Sequence, residues 1–134
     1  MPHVDKPKNG SFCWIELATS DQEAAKQFYT ALFGWSYRDS PMGPDEVYTM
    51  FQLADGNVGA TYTLGKDLRA AGVPPHWMLY VAVEDADRSA QRAKDAGGQL
   101  MCEPFDVMSY GRMAVIKDPT GAVISIWQPG PPGD

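Results

Sequence analysis

The sequence predicts an α+β fold built from two copies of one strand–helix–three-strand unit, and three observations support this. An alternating apolar stretch at residues 12–18 is followed by a helix signal and then by three more strand-like stretches. The same order of elements recurs about 64 residues later, so that Asp21 corresponds to Asp85. A glycine turn precedes the last strand of each half, at Gly56 and at Gly121. The two halves repeat a pattern rather than a set of identical residues.

The first half opens with the strand at residues 12–18 and continues into a helix. Ser20 and Glu23 form a capping box, in which the Ser20 hydroxyl is expected to accept from the Glu23 backbone N–H. Gly34 is suited to end the helix. The predicted sheet-facing side of the helix carries Ala25, Phe28, Tyr29 and Leu32, at helical spacing. The strands predicted next are 35–39, 46–53 and 57–64, with Asp55-Gly56 as a hairpin turn.

The second half follows the same plan. Residues 76–83 alternate as a strand, and Asp85 begins a helix that Gly97-Gly98 ends. One side of this helix carries Ala86, Ala90 and Ala93. The strands predicted after it are 99–103, 112–117 and 122–128, and Asp118-Pro119-Thr120-Gly121 is the turn before the last of them.

These elements fit one domain at residues 11–128. Its predicted parts are a flexible N-terminal segment at 1–10, module one at 11–64, a crossover linker at 65–75, module two at 76–128 and a tail at 129–134. At 134 residues the chain is long enough to bury one core but not two independent ones.

Composition and charge limit the partners and the compartment. The net charge of -6 disfavours nucleic acid and anionic lipid surfaces. No apolar run approaches the roughly 20 residues of a membrane span, and the first ten residues lack the apolar stretch of a signal peptide. Cys13 and Cys102 are isolated in sequence, and we expect both to be buried and reduced. These features together indicate a cytoplasmic protein.

Three segments stand out when they are taken in order: Glu16-Leu17-Ala18-Thr19-Ser20-Asp21, Phe28-Tyr29-Thr30-Ala31-Leu32-Phe33-Gly34-Trp35 and Asp118-Pro119-Thr120-Gly121-Ala122. Together they resemble the vicinal oxygen chelate superfamily, which is the glyoxalase/bleomycin resistance protein/dioxygenase family. The resemblance covers residues 11 to 128. It implies a U-shaped mixed sheet whose concave side holds a ligand cleft and whose convex side packs on the helices. It also implies a homodimer, because single-domain members commonly pair.

Metal-dependent members of that family bind a divalent ion through side chains on the first and last strand of each module. Carried over to this chain, those four positions are Trp14, Ala60, Met78 and Ser125, none of which supplies a carboxylate or imidazole. His76 lies two residues before Met78, in a register that some members use. We therefore expect no cofactor, with a divalent metal held in another register as the alternative.

Strand alternation predicts which side chains line the cleft instead. The aromatic and thioether side chains are Trp14, Tyr62, Met78, Tyr80 and Trp127, and the polar ones are Glu16, His76 and Ser125. Apolar walls with few polar groups are typical of a small-molecule site. Glu16 is the candidate catalytic residue, because a carboxylate between apolar neighbours is suited to proton transfer. Arg112 is a candidate clamp for an anionic substrate.

Each of these residues also has a purely structural interpretation. Glu16 fits a solvated strand-edge carboxylate, and His76 a loop-edge histidine after Pro74-Pro75. Trp14 and Trp127 are equally suited to a dimer interface, and Arg112 to a solvated strand end.

Two functions from different classes remain. The first is binding of a small, partly apolar or aromatic molecule in the cleft, without the family's usual metal centre. The second is a metal-dependent lyase or isomerase of the glyoxalase/epimerase type, with Glu16 as base and a metal held through His76 and Glu16. A non-catalytic partner module in a larger complex is a weaker third. No P-loop, G-x-S-x-G, CxxC or HExxH motif occurs.

Overall fold

The computed structural model describes residues 7–54 and 56–130. The chain divides into two compact units, which are described separately here. Among the described residues, the first unit contains 14–54 and 56–78, and the second contains 7–13 and 79–130. The N-terminal segment belongs to the second unit because Gly10 and Ser11 pair with the backbone of Ala82, at N···O distances of 2.8 and 2.9 Å. Backbone pairing therefore starts before residue 11, and residues 1–6 of the predicted flexible segment lie outside the described residues.

Module one has the predicted order of one strand, one helix and three strands. Its elements are β1 (Phe12–Thr19), α1 (Gln22–Phe33), β2 (Ser36–Gly43), β3 (Glu46–Leu53) and β4 (Gly56–Thr63). The strands lie in the order β2-β3-β4-β1, with β1 parallel to β4 and the other pairs antiparallel. Asp55 of the predicted hairpin lies outside the described residues, but β3 and β4 pair antiparallel on either side of it.

Module two repeats this arrangement. Its elements are β5 (His76–Ala82), α3 (Ala86–Asp95), β6 (Gln99–Val107), β7 (Gly111–Lys117) and β8 (Val123–Pro129). The strands lie in the order β5-β8-β7-β6, with β5 parallel to β8. The Asp118 side chain accepts from the backbone N–H groups of Thr120 and Ala122, which fixes the predicted turn before β8. The element order and mixed pairing confirm the predicted α+β class with two βαβββ modules.

Two local predictions were wrong. The linker at 65–75 contains a short helix, α2 (Lys66–Ala70), which five residues are too few to reveal by periodicity. The N-cap of α1 is Asp21 rather than Ser20, and its carboxylate accepts from the Ala24 backbone N–H at 3.0 Å. Asp85 caps α3 in the same way, so the repeat extends to the caps.

The sheet-facing side of α1 also differs from the prediction. Phe28 and Leu32 are 59% and 56% exposed, whereas Lys26 is only 5% exposed. Gln22 bonds to Thr49 of the sheet at 2.8 Å, which places the polar side of the helix on the strands. The helix is therefore rotated relative to its apolar pattern, because ion pairs and hydrogen bonds compensate the burial of its polar residues.

Strand registers assign each side chain to one of two faces within its module. In module one, Thr49 and Thr61 are register partners on the face covered by α1, and Gln22 reaches both. Glu16, Ala60 and Met50 align across β1, β4 and β3 on the opposite face. In module two, the face towards α3 is an apolar cluster that includes Ala86, Ala114, Ile116 and Ile126.

Candidate functional site

A hydrogen-bonded group of three side chains lies on the face of module one opposite α1. Tyr48 Oη donates to Glu16 Oε2 at 2.7 Å, and Trp14 Nε1 lies 2.9 Å from Tyr48 Oη and 3.2 Å from Glu16 Oε2. Glu16 is only 8% exposed, and Trp14 and Tyr48 are half-buried. Burial of the carboxylate is tolerable because charge-assisted hydrogen bonds satisfy it.

The charge of Glu16 acts on two tyrosines. Burial and the nearby Glu16 carboxylate raise the pKa of Tyr48 far above its ordinary value. Burial and the same carboxylate raise the pKa of Tyr62 to about 12. Both phenols therefore keep their protons at physiological pH and can act as donors.

Tyr62 and Met78 extend this group as an apolar wall. Tyr62 Oη donates to Met78 Sδ at 3.4 Å, and both side chains are half-buried. Five of the predicted site residues lie in the first compact unit, and four of them, Trp14, Glu16, Tyr62 and Met78, belong to this group; the fifth is His76. The four combine aromatic and thioether surface with one acidic group, and the carboxylate can accept a hydrogen bond from a ligand donor.

Three other predicted residues lie together on the face of module two opposite α3. Tyr80 is the register partner of Ser125, and its ring meets Trp127 edge to face with centroids 6.4 Å apart. Ser125 is 1% exposed. Within the described part of the chain, neither Ser125 Oγ nor Trp127 Nε1 has a hydrogen-bond partner. This group differs from that around Glu16, where each polar atom that we name is paired.

Arg112 does not lie with these residues. It is the register partner of Gln128, whose side chain accepts from the backbone of Ala86, and it therefore lies on the α3 side of the module. Its guanidinium forms ion pairs with Asp87 at 2.8 Å and with Asp106 at 3.1 Å. These carboxylates raise the pKa of Arg112 and occupy its donors. The predicted clamp for an anionic substrate thus has protein partners on another face.

The residues present do not fit the divalent metal that the family implies. His76 Nδ1 contacts the Pro74 carbonyl oxygen at 2.9 Å. Oε2 of Glu16 already accepts from Tyr48 and Trp14, which a cation at that atom would have to displace. Among residues 7–54 and 56–130, no three His, Cys, Asp or Glu side chains are grouped for a metal. The described cysteines, Cys13 and Cys102, are free thiols, and only Cys13 is fully buried.

Sequence reasoning missed two residues, Tyr48 and Lys26. Tyr48 alternates with Thr49 along β3, but only the pairing register shows that it faces Glu16 rather than α1. Lys26 forms ion pairs with Glu23 at 2.7 Å and with Asp39 at 3.1 Å, beneath α1. A cavity of about 310 Å³ lies beside this network, at the start of α1, and Glu16 is not among its lining residues.

Comparison with known proteins fits the arrangement of both modules. The family model of the Glyoxalase/Bleomycin resistance protein/Dioxygenase superfamily matches residues 11–126. The chain belongs to this superfamily. A Mycobacterium tuberculosis protein named "Putative glyoxylase CFP32" is 42% identical over 129 residues, which is 96% of this chain and 49% of the relative. The anthracycline biosynthesis protein DnrV of Streptomyces peucetius is 35% identical, across 90% of this chain and 48% of the relative.

Solved structures of the superfamily share the fold at low identity. Methylmalonyl-CoA epimerase from Mycobacterium tuberculosis superposes with a TM-score of 0.63 at 18% identity, covering 96% of this chain and 95% of the epimerase. The Streptomyces coelicolor epimerase in complex with 2-nitronate-propionyl-CoA gives a TM-score of 0.59 at 20% identity, covering 93% of this chain and 100% of that one. The chain spans about half the length of the curated relatives it matches. No helix in the described ranges is long and apolar enough to cross a membrane.

Proposed function

We propose that this superfamily member binds a small, partly aromatic or apolar molecule on the face of module one opposite α1, without the family's usual metal centre. The observation that carries the proposal is the buried Glu16 carboxylate, held by Tyr48 and Trp14 and flanked by Tyr62. An ionised carboxylate only accepts hydrogen bonds, so the ligand presents an N–H or O–H group to it. The rings and Met78 provide the surface for the ligand's apolar part.

A fluorescent probe with this chemistry is N-phenyl-1-naphthylamine, a neutral aromatic amine with one N–H group. We expect it to bind the wild-type protein, and Glu16→Gln to weaken it about tenfold, because a hydrogen bond to a charged group contributes about 1.5 kcal/mol or more. Glu84→Gln, which changes an exposed carboxylate, is the matched control. Equal affinities of wild type and Glu16→Gln for the probe would show that Glu16 does not contact the ligand. If the wild-type protein did not bind the probe, the proposed function would be wrong.

The second candidate is a lyase or isomerase of the glyoxalase/epimerase type, with Glu16 as base. A buried carboxylate and the printed names of CFP32 and the epimerases favour it. The lyase alternative requires a metal held through His76 and Glu16. Metal analysis of protein purified without a His tag decides between the two. Stoichiometric metal that is lost in His76→Ala would overturn the first proposal, whereas metal-free protein that binds the probe would overturn the second.

A homodimer in the cytoplasm is the assembly we propose. It is supported by exposed apolar side chains on and beside α1, namely Phe28, Leu32, Phe33 and Trp77. Sedimentation equilibrium at micromolar concentration is expected to give twice the chain mass for wild type and the monomer mass for Leu32→Glu. Gln27→Glu, on the same helix, is the control. A wild-type monomer would contradict the proposal.

A further inference from the structure

The bridge between Tyr48 and Glu16 joins two strands that are not neighbours. In the strand order β3-β4-β1, β4 lies between them, and its residue opposite Glu16 is Ala60. Ala60 is fully buried, and its small side chain leaves room for the tyrosine to reach across β4. The three polar atoms of Trp14, Tyr48 and Glu16 then lie within 3.2 Å of one another.

The chemistry of the three groups fixes the direction of each hydrogen bond. An indole N–H only donates and an ionised carboxylate only accepts. Tyr48 therefore accepts from Trp14 and donates to Glu16. The raised pKa of Tyr48, which follows from burial and from the Glu16 charge, agrees with a hydroxyl that keeps its proton.

We infer that Tyr48 is a positioning residue of this site, whose hydroxyl orients the Glu16 carboxylate towards the ligand's donor group. This rests on the proposed function, because it concerns how Glu16 meets a ligand. Two donors to Oε2 fix the direction of the carboxylate. Removal of the Tyr48 hydroxyl leaves the 3.2 Å contact from Trp14 as the remaining hydrogen bond of this group to Oε2.

The first readout needs no ligand. In a ¹H–¹⁵N spectrum of the indole groups, Tyr48→Phe is expected to move the Trp14 Nε1–H signal upfield, because its acceptor at 2.9 Å is lost. The signals of Trp35 and Trp77 are expected to stay in place. Tyr37→Phe, which removes an exposed hydroxyl from β2, is the matched control. An unmoved Trp14 signal in Tyr48→Phe would overturn the inference.

The second readout is the affinity for N-phenyl-1-naphthylamine at pH 7. We expect Tyr48→Phe to bind the probe about fivefold more weakly than wild type, because the carboxylate that meets the ligand loses the 2.7 Å bond that orients it. Tyr37→Phe is expected to keep the wild-type affinity. A purely structural tyrosine would lower stability without changing the affinity of the folded protein.

The outcomes separate this inference from the proposed function. If wild type binds the probe and Tyr48→Phe binds it equally tightly, the positioning role fails while the ligand site stands. If wild type does not bind the probe, the proposed function fails and the positioning role with it. Should Tyr48→Phe not fold, 3,5-difluorotyrosine at position 48 keeps the hydroxyl but makes its oxygen a weaker acceptor. It is expected to move the Trp14 Nε1–H signal upfield, and an unmoved signal would overturn the inference.

Discussion

The two modules share one backbone plan but differ in what lies beneath their helices. Gln22 and Lys26 of α1 correspond, at the offset of 64 residues, to Ala86 and Ala90 of α3. Under α1 these side chains enter a network with Thr49 and Asp39. Under α3, Ala86 belongs to an apolar cluster, and Ala90, one turn later, is buried as well. The same fold thus accepts either a polar or an apolar interior, provided that every buried charge has a partner.

The opposite faces differ as well. In module one, the carboxylate of Glu16 accepts from Tyr48 and Trp14. In module two, Ser125 Oγ and Trp127 Nε1 have no partner among the described residues. The repeat therefore fixes where side chains lie, and the individual residues decide which module offers a satisfied, charged anchor for a ligand.

The largest effect is expected when a charge is placed under α3. Ala90→Lys puts an ammonium group where Lys26 stands in module one, but on the side of α3 that packs on an apolar cluster. Asp87, the carboxylate three residues before Ala90, is already paired with Arg112 at 2.8 Å. We expect a loss of about 3–5 kcal/mol in the free energy of unfolding, measured by urea denaturation. Gln91→Lys, on the exposed side of α3, is expected to stay within about 0.5 kcal/mol. Equal stabilities of the two variants would contradict the contrast between the modules.

The reciprocal change removes the charge under α1. Lys26→Met keeps an unbranched side chain but leaves Asp39 without its cation, and we expect a loss of about 1–3 kcal/mol. This loss is smaller than that expected for a fully buried ion pair, because Asp39 and Glu23 are partly exposed to water. Lys94→Met on the surface of α3 is the control. A variant as stable as wild type in urea would show that the network does not stabilise module one.

The third prediction concerns the loss of folding stability at acidic pH. Partial burial acts to raise the pKa of Asp39, but hydrogen bonds from Thr49 and Lys26 and the charge of Lys26 hold it below its ordinary 3.8. The stability it contributes is present above pH 3.8 and is lost as pH falls through the lower folded value. Asp39→Asn should therefore lose less stability than wild type between pH 4 and 2.

Asp87 and Asp118 also have lowered pKa values, so part of the acid dependence is expected to remain in Asp39→Asn. Asp67→Asn, which changes an exposed carboxylate of α2, is the control for the loss of one charge. Urea unfolding between pH 4 and 2 measures how steeply the free energy of unfolding falls with pH. If it fell as steeply in Asp39→Asn as in wild type, Asp39 would not be a source of the acid dependence.

The smallest effect is expected at Ser125. Its hydroxyl is buried and has no hydrogen-bond partner in residues 7–54 and 56–130, so Ser125→Ala should be neutral or stabilising by up to about 1 kcal/mol. In module one, Thr49→Val should cost about 1–2 kcal/mol, because Thr49 donates to Asp39 at 2.6 Å and accepts from Gln22. Thermal unfolding of both variants shows which one is less stable. If Ser125→Ala lost more stability than Thr49→Val, the difference in hydrogen bonding between the two modules would be contradicted.

The sequence alone was sufficient for the element order and the repeat. Strand alternation, Gly34 as the α1 cap and the Asp118 turn are local signals, and the structure confirms them. The rotation of α1 was not predictable in this way. Phe28 and Leu32 favour burial by pattern, whereas Lys26 is buried because Asp39 of β2 lies opposite it, which only the packed structure shows.

The candidate site was predictable in part. Alternation placed Trp14 and Glu16 on one face of β1, and the bond between their side chains is consistent with this. Tyr48 was missed because the pairing register of β3 depends on a hairpin geometry that the sequence does not determine. The sequence prediction placed Arg112 at a ligand. Its ion pairs with Asp87 and Asp106 were missed because these carboxylates lie 25 and 6 residues away along the chain.

The most direct test follows the indole N–H signals while N-phenyl-1-naphthylamine is titrated into wild-type protein. If the ligand binds beside Glu16, the Trp14 signal shifts with occupancy, and Trp14→Phe assigns it. The signal of Trp35, which stacks near Tyr29 and Phe51 on the α1 side, stays in place. A titration that moves Trp35 or Trp127 and leaves Trp14 unchanged would contradict a ligand site on the Glu16 face of module one.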